Sequence, residues 1–190
     1  MDGGDVGRAV GWMTRTLGPY AVGDDWAVPA RGLEWSCRET AAHVAHDLVA
    51  YAGQLAGRAD GSYLPYDLVV GEGATPTEVL RVVAAAGGML RAVLDTAPAD
   101  ARAWHWGPCD PGGFAAMGCA EVLLHTWDLA GGLGADWSPP PDLCEGVLAR
   151  LFPDAPAGDP AAVLLWCAGR GELPGRPRRT TWSWRAAVPD

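Results

Sequence analysis

The sequence has no run of about 18 uninterrupted apolar residues, the length a helix needs to cross a bilayer. Its start, MDGGDVGRAVGW, lacks the basic and then apolar pattern of a secretory signal. The expectation from these two absences is a cytoplasmic chain that does not partner a membrane. Basic residues are few, 14 against 23 acidic ones for a formal charge of −9. Binding a polyanion requires clustered cations that displace counterions, so a nucleic-acid partner is excluded. Five cysteines, Cys37, Cys109, Cys119, Cys144 and Cys167, are an odd number without a CxxC spacing. Neither a disulfide framework nor a zinc ribbon is expected from them, and they read as small core residues. Strand-like alternation is scarce, and no internal repeat or low-complexity tract is visible.

What is present suits a single folded core. Half the chain is hydrophobic (49%), with ten tryptophans among 190 residues, enough apolar surface to offset chain entropy. Apolar residues recur at helical spacing. A first helix is expected from Asp5 to Leu17, ending at Gly18-Pro19. A second begins near Ser36, with Glu39 completing a capping box, and runs to about Gly57. The third opens with Thr75 as cap and Pro76 at its first position and reaches Thr96. The fourth spans Gly112 to Ala130 and stops at Gly131-Gly132. Shorter helices follow at Asp142–Leu151 and Pro160–Gly169. Residues 58–74 form a long loop, of the kind that often carries function.

Helix four, GGFAAMGCAEVLLHTWDLAGG, carries the chemistry. It is apolar nearly all round, which places it inside a fold, where charges must be paired or bound to metal. Glu121, His125 and Asp128 stand at i, i+4 and i+7, within roughly 60° of one another at 100° per residue. A Glu and a His one turn apart can hold a divalent ion together. From this helix alone, a metal site and a solvent-facing strip are equally open. Gly118, on the same face, leaves room for a ligand or a neighbouring helix.

Helix two, SCRETAAHVAHDLVAYAGQLAG, has an apolar arc through Val44, Leu48, Tyr51 and Leu55. Glu39, His43, His46, Asp47 and Gln54 occupy the opposite side, which by default is solvated. Spacing alone leaves His43 and His46 as alternative ligands. His105, in WHWGPCD, is read as part of a surface turn. The tryptophans are assigned to packing. Arg170, Arg176, Arg178 and Arg179 form a basic tail, read as solubilising or as receiving carboxylates. Tyr63 and Tyr66 lie in the long loop as candidates to face a pocket.

The stretches GLEWSCRETAAHV and GFAAMGCAEVLLHTWDLAGGLG resemble the DinB-like superfamily, specifically the N-terminal domain of mycothiol-dependent maleylpyruvate isomerases from actinobacteria. The resemblance covers roughly residues 25–135. The stretch LLWCAGRGELPGRPRRTTWSW is similar to the tail of many actinobacterial members. It implies an all-α fold, a four-helix bundle over residues 1–135 with residues 136–190 as a short helical and irregular extension packed on it. It also implies a divalent metal held by His43, Glu121 and His125, which selects His43 over His46. Zinc is favoured by such ligands, and nickel, iron or manganese suit similar nitrogen and oxygen donors. Mycothiol is the implied thiol cofactor, a thiol at the open coordination position becoming thiolate.

Asp128 is then expected to orient a ligand, because a carboxylate left free near a helix C-terminus opposes the helix dipole. His46 and Asp47 are the candidate proton carriers, against a solvated reading of the same face. Three functions follow. The first is a metal-dependent, thiol-linked isomerase or transferase acting on a small electrophile. The second is an enzyme of specialised metabolism that uses no thiol, since only residues 136–190 stand where the family's isomerases carry a larger domain. The third is a small-molecule binding or resistance protein. A monomer or homodimer suits all three.

Overall fold

The computed structural model of the chain describes residues 1–22 and 26–188; Asp25, the expected edge of the family resemblance, lies outside them. Helix α1 (Gly3–Leu17) is capped by the Asp2 side chain, and Asp5 closes the reciprocal capping box. It therefore starts two residues before the expected Asp5, whose place is inside the first turn. A short 3₁₀ turn at Gly18–Tyr20 follows. Helices α2 (Cys37–Gly57) and α3 (Pro76–Thr96) open on capping boxes at Ser36 with Glu39 and Thr75 with Glu78, as expected. Between α3 and α4 (Pro111–Gly132) lies a two-residue antiparallel ribbon, β1 (Ala103–Trp104) with β2 (Pro108–Cys109). Helices α5 (Pro141–Leu151) and α6 (Pro160–Cys167) follow, and the described residues 168–188 run on without a further helix.

The four long helices pack in the ring order α1–α3–α2–α4. Met13 and Leu17, Leu48, Leu90, and Phe114, Met117 and Leu123 meet inside, fully buried. Each large apolar side chain removed from water contributes about 1.5–3 kcal/mol. Helix α5 covers the outer flank of α4, and α6 packs on α5, which is why α4 can be apolar nearly all round. Gly118 faces neighbouring helices: a Cβ there would lie 2.7 Å from Leu90 Cδ2 and 3.4 Å from Leu48 Cδ2. All five cysteines are buried, and burial pushes the Cys109 and Cys144 thiols up to about 12, so they serve as packing groups.

Two sequence expectations change here. Gly131 and Gly132 do not stop α4, which continues through both. A Cβ on Gly132 would stand 2.5 Å from the Pro29 carbonyl oxygen and 3.0 Å from Ala30 Cα, so these glycines admit the 29–31 segment against the helix. The turn away comes at Gly134, whose φ is +73°. The polar side of α2 is also not a solvated face. The loop after it lies along that side, held by Arg38, which donates to the carbonyls of Gly71, Glu72 and Ala74. Tyr66 donates to the Val49 carbonyl from the same loop.

Gln54 is the only side-chain amide in the sequence and is fully buried. It donates to the carbonyls of Ser62 and Trp104 and accepts from the Leu64 amide, joining α2, the loop and β1. Gln54→Leu is expected to lower the unfolding free energy by about 3 kcal/mol, since it leaves buried backbone groups unpaired. Urea denaturation measures this, and an unchanged midpoint would mean that the loop does not depend on the amide. Among the described residues no helix is long and apolar enough to cross a membrane.

Candidate metal centre

The capping box at Ser36 fixes where α2 begins, and two turns later His43 faces α4. There it meets Glu121 and His125, one turn apart. The Nε2 atoms of His43 and His125 lie 3.8 Å and 3.3 Å from Glu121 Oε2, and one donor atom from each residue falls within 4.8 Å of the others. A tetrahedral ion with ligands at about 2.1 Å separates its donors by about 3.4 Å, so these residues fit a divalent metal with small side-chain adjustments. Glu121 and His125 are buried, whereas His43 is half-buried beneath the Trp35 ring, 4.9 Å between centroids.

The protonation states of His43 and Glu121 suit a nitrogen and oxygen donor set, and His125 must lose a proton to join it. Burial lowers the pKa of His43 more than the Glu121 charge raises it, so the ring is held neutral. Burial also opposes the charge on Glu121, but the hydrogen bond from His125 and the charges of His125, His43 and Arg170 hold it below the usual carboxylate range. For His125, burial is outweighed by hydrogen bonds to Asp128 and Glu121, leaving it at about 9. A metal binding there would release that proton.

Asp128, expected to orient a ligand, is buried at 1% exposure. His125 Nδ1 donates to Asp128 Oδ2 at 2.9 Å, which turns Nε2 toward Glu121. Arg170, from the turn after α6, grips the same carboxylate with Nε at 2.9 Å from Oδ1 and Nη2 at 2.7 Å from Oδ2. The solubilising reading of the tail is thus overturned for Arg170, whose side chain is 11% exposed. Nothing in the local sequence joins positions 128 and 170; only the return of the chain over α5 and α6 does.

On the other flank, Asp47 Oδ2 lies 3.4 Å from His43 Nε2. Burial and the nearby Glu121 charge raise Asp47 to about 8. Tyr51 donates to Glu121 Oε1 at 3.4 Å. His46 stands one step back: its Nδ1 accepts from the Leu68 amide at 3.4 Å and its Nε2 is 3.9 Å from Asp47. Sequence reasoning placed Asp47 among proton carriers but missed Tyr51, which the apolar arc of α2 disguised as core. His46, Asp47, Tyr51, Tyr63, Tyr66 and Asp67 line a cleft of about 680 Å³ beside the cluster, so both loop tyrosines do face a pocket.

His105 is a correction. It is buried at 7% exposure and not part of a surface turn, because the long loop and the C-terminal segment close over it. Its Nε2 accepts from Trp184 Nε1 at 3.4 Å, and Nδ1 pairs with the Tyr63 hydroxyl. With Nε2 an acceptor, the ring is the neutral Nδ1–H tautomer, donating to Tyr63. Burial lowers its pKa to about 4, against the pull of the Glu121 charge.

A four-helix bundle with a His–Glu–His cluster shared by two adjacent helices defines the class. The chain belongs to the mycothiol maleylpyruvate isomerase N-terminal domain family, which it matches over residues 8–130. It is thereby a DinB-like helical domain of a mycothiol-related enzyme family. No curated protein and no solved structure matches the chain.

Proposed function

We propose that the chain is a metal-dependent enzyme that uses a mycothiol-like thiol to isomerise a small electrophile or to transfer the thiol to it. The observation that carries this reading is the convergence of His43, Glu121 and His125 within 4.8 Å, in a member of a mycothiol-related family. Zinc is the ion favoured by this donor set. Bound by three protein ligands, it would acidify a thiol at its remaining coordination position.

The chain's own residues supply the rest. Asp128, braced by Arg170, holds the His125 ring so that Nε2 points into the cluster. Tyr51 steadies the Glu121 carboxylate. Asp47, beside His43 and on the cleft wall, has a carboxyl raised to about 8. A cation bound at the cluster would favour its ionised form, and in that form it would accept a proton from an arriving thiol, with His46 behind it to pass the proton toward solvent. The half-buried edge of His43 gives ligands access.

Elemental analysis by mass spectrometry is expected to find about one divalent metal per native chain and to find it lost in His43→Ala and Glu121→Ala. Turnover of electrophiles is then expected only with mycothiol present. Absence of metal from the native chain would overturn the metal reading; turnover without any thiol would leave the metal and remove the thiol.

A further inference from the structure

A second cavity, of about 350 Å³, lies between the segment after Pro29, the end of α4 and the C-terminal segment. Arg31, Leu33, Trp127, Arg170, Arg178 and Trp182 line it, and it shares no lining residue with the cleft beside the cluster. Its charge is unbalanced. Three guanidinium groups border it, against one carboxylate, Asp128, among the described residues of its wall. Arg170 is committed to that carboxylate and to the Ala168 carbonyl. Arg31 and Arg178 have no carboxylate partner among the described residues.

Both are nonetheless fixed in place. The Arg31 amide donates to the Asp128 carbonyl at 2.8 Å, and its guanidinium lies over the Trp127 ring, 4.3 Å from the centroid. Arg178 Nε donates to the Gly169 carbonyl at 2.5 Å, which leaves its terminal nitrogens available. A guanidinium presents a planar fork that matches a carboxylate. The indoles of Trp127 and Trp182, with Leu33, give the same cavity apolar walls. In a protein of net charge −9, two ordered arginines without a carboxylate partner among the described residues, at an aromatic cavity of small-ligand size, mark an anion site.

We infer that this cavity binds a small monocarboxylate carried on an apolar or aromatic body, its carboxylate taken by Arg31 and Arg178 and its body by Trp127 and Trp182. The inference does not depend on the metal reading, because neither Arg31 nor Arg178 touches the cluster.

Titration calorimetry with benzoate, using acetate as a probe that lacks the apolar body, tests it on the native full-length chain. One benzoate per chain is expected, and acetate binding at least about tenfold weaker. The double variant Arg31→Ala/Arg178→Ala is expected to weaken benzoate by about tenfold or more. Arg176→Ala, on a separate cavity, is expected to leave it unchanged. Arg31 and Arg178 are exposed, so the double variant should keep the native melting temperature; Trp182→Ala gives a second, charge-neutral test of the same pocket. Lack of saturable benzoate binding below about 10 mM, equal affinity in the double variant, or acetate binding as tightly as benzoate would each overturn the proposal.

Discussion

Arg170→Met is expected to cost about 3–5 kcal/mol of unfolding free energy, because it strips a buried carboxylate of its cation. Asp128 is 1% exposed and makes charge-assisted bonds to Arg170 and His125. With Arg170 gone, His125 alone must balance both Asp128 and Glu121. The carboxylate that orients the His125 ring also loses its own brace, and cobalt affinity at the proposed metal site is expected to fall about 10–100-fold, the usual effect of disturbing the partners behind a metal ligand. Adding Asp128→Asn removes the stranded charge, so the double variant should regain part of the stability while its cobalt affinity stays low. Urea unfolding and cobalt absorbance titration separate the two effects. Cobalt affinity left unchanged by Arg170→Met would show that the arginine is a packing group alone.

The second large effect is in pH dependence. His105 has a folded pKa of about 4, below its ordinary value of 6.5, with burial the leading cause. A depressed pKa means that the unfolded chain takes up the proton first, so the contribution is present above pH 6.5 and is lost as pH falls toward 4. A shift of this size corresponds to about 3 kcal/mol. Protonation would put a second donor against Trp184 Nε1, where the structure has an acceptor. Unfolding free energies measured between pH 7 and pH 4 should fall more steeply for the native chain than for His105→Gln, and parallel slopes would refute the assignment.

Much of the bundle was legible locally. Ser36 with Glu39 and Thr75 with Glu78 are helix starts written in contiguous residues, because a cap is a hydrogen bond across three positions. The Glu121–His125–Asp128 stripe was equally legible, since helical geometry alone puts i, i+4 and i+7 on one face. Asp2 went unrecognised as the cap of α1 because Asp5, which completes its box, is itself a plausible start. Gly131-Gly132 read as a stop for want of any sign that another segment presses on α4 there.

The choice between His43 and His46 lay beyond periodicity, since both share one polar face, and only family resemblance separated them. The structure brings His43 to Glu121 and leaves His46 on the cleft wall. His105 and Arg170 were beyond sequence reading for a common reason. Each is buried by a segment far away in the chain: His105 by Tyr63 and Trp184, Arg170 by its bonds to Asp128.

By itself, then, the sequence determined the long helices, the caps of α2 and α3, the apolar character of α4 and the placing of Glu121 and His125 on one face, all governed by contacts within four residues or by the bare need to bury apolar surface. Tertiary structure alone decided which side of α2 escapes water, which histidine meets α4, and how Arg170 braces Asp128. Those depend on where loops and the C-terminal segment return, and a side chain's burial and charge partners are set by neighbours in space whose sequence positions carry no local periodicity.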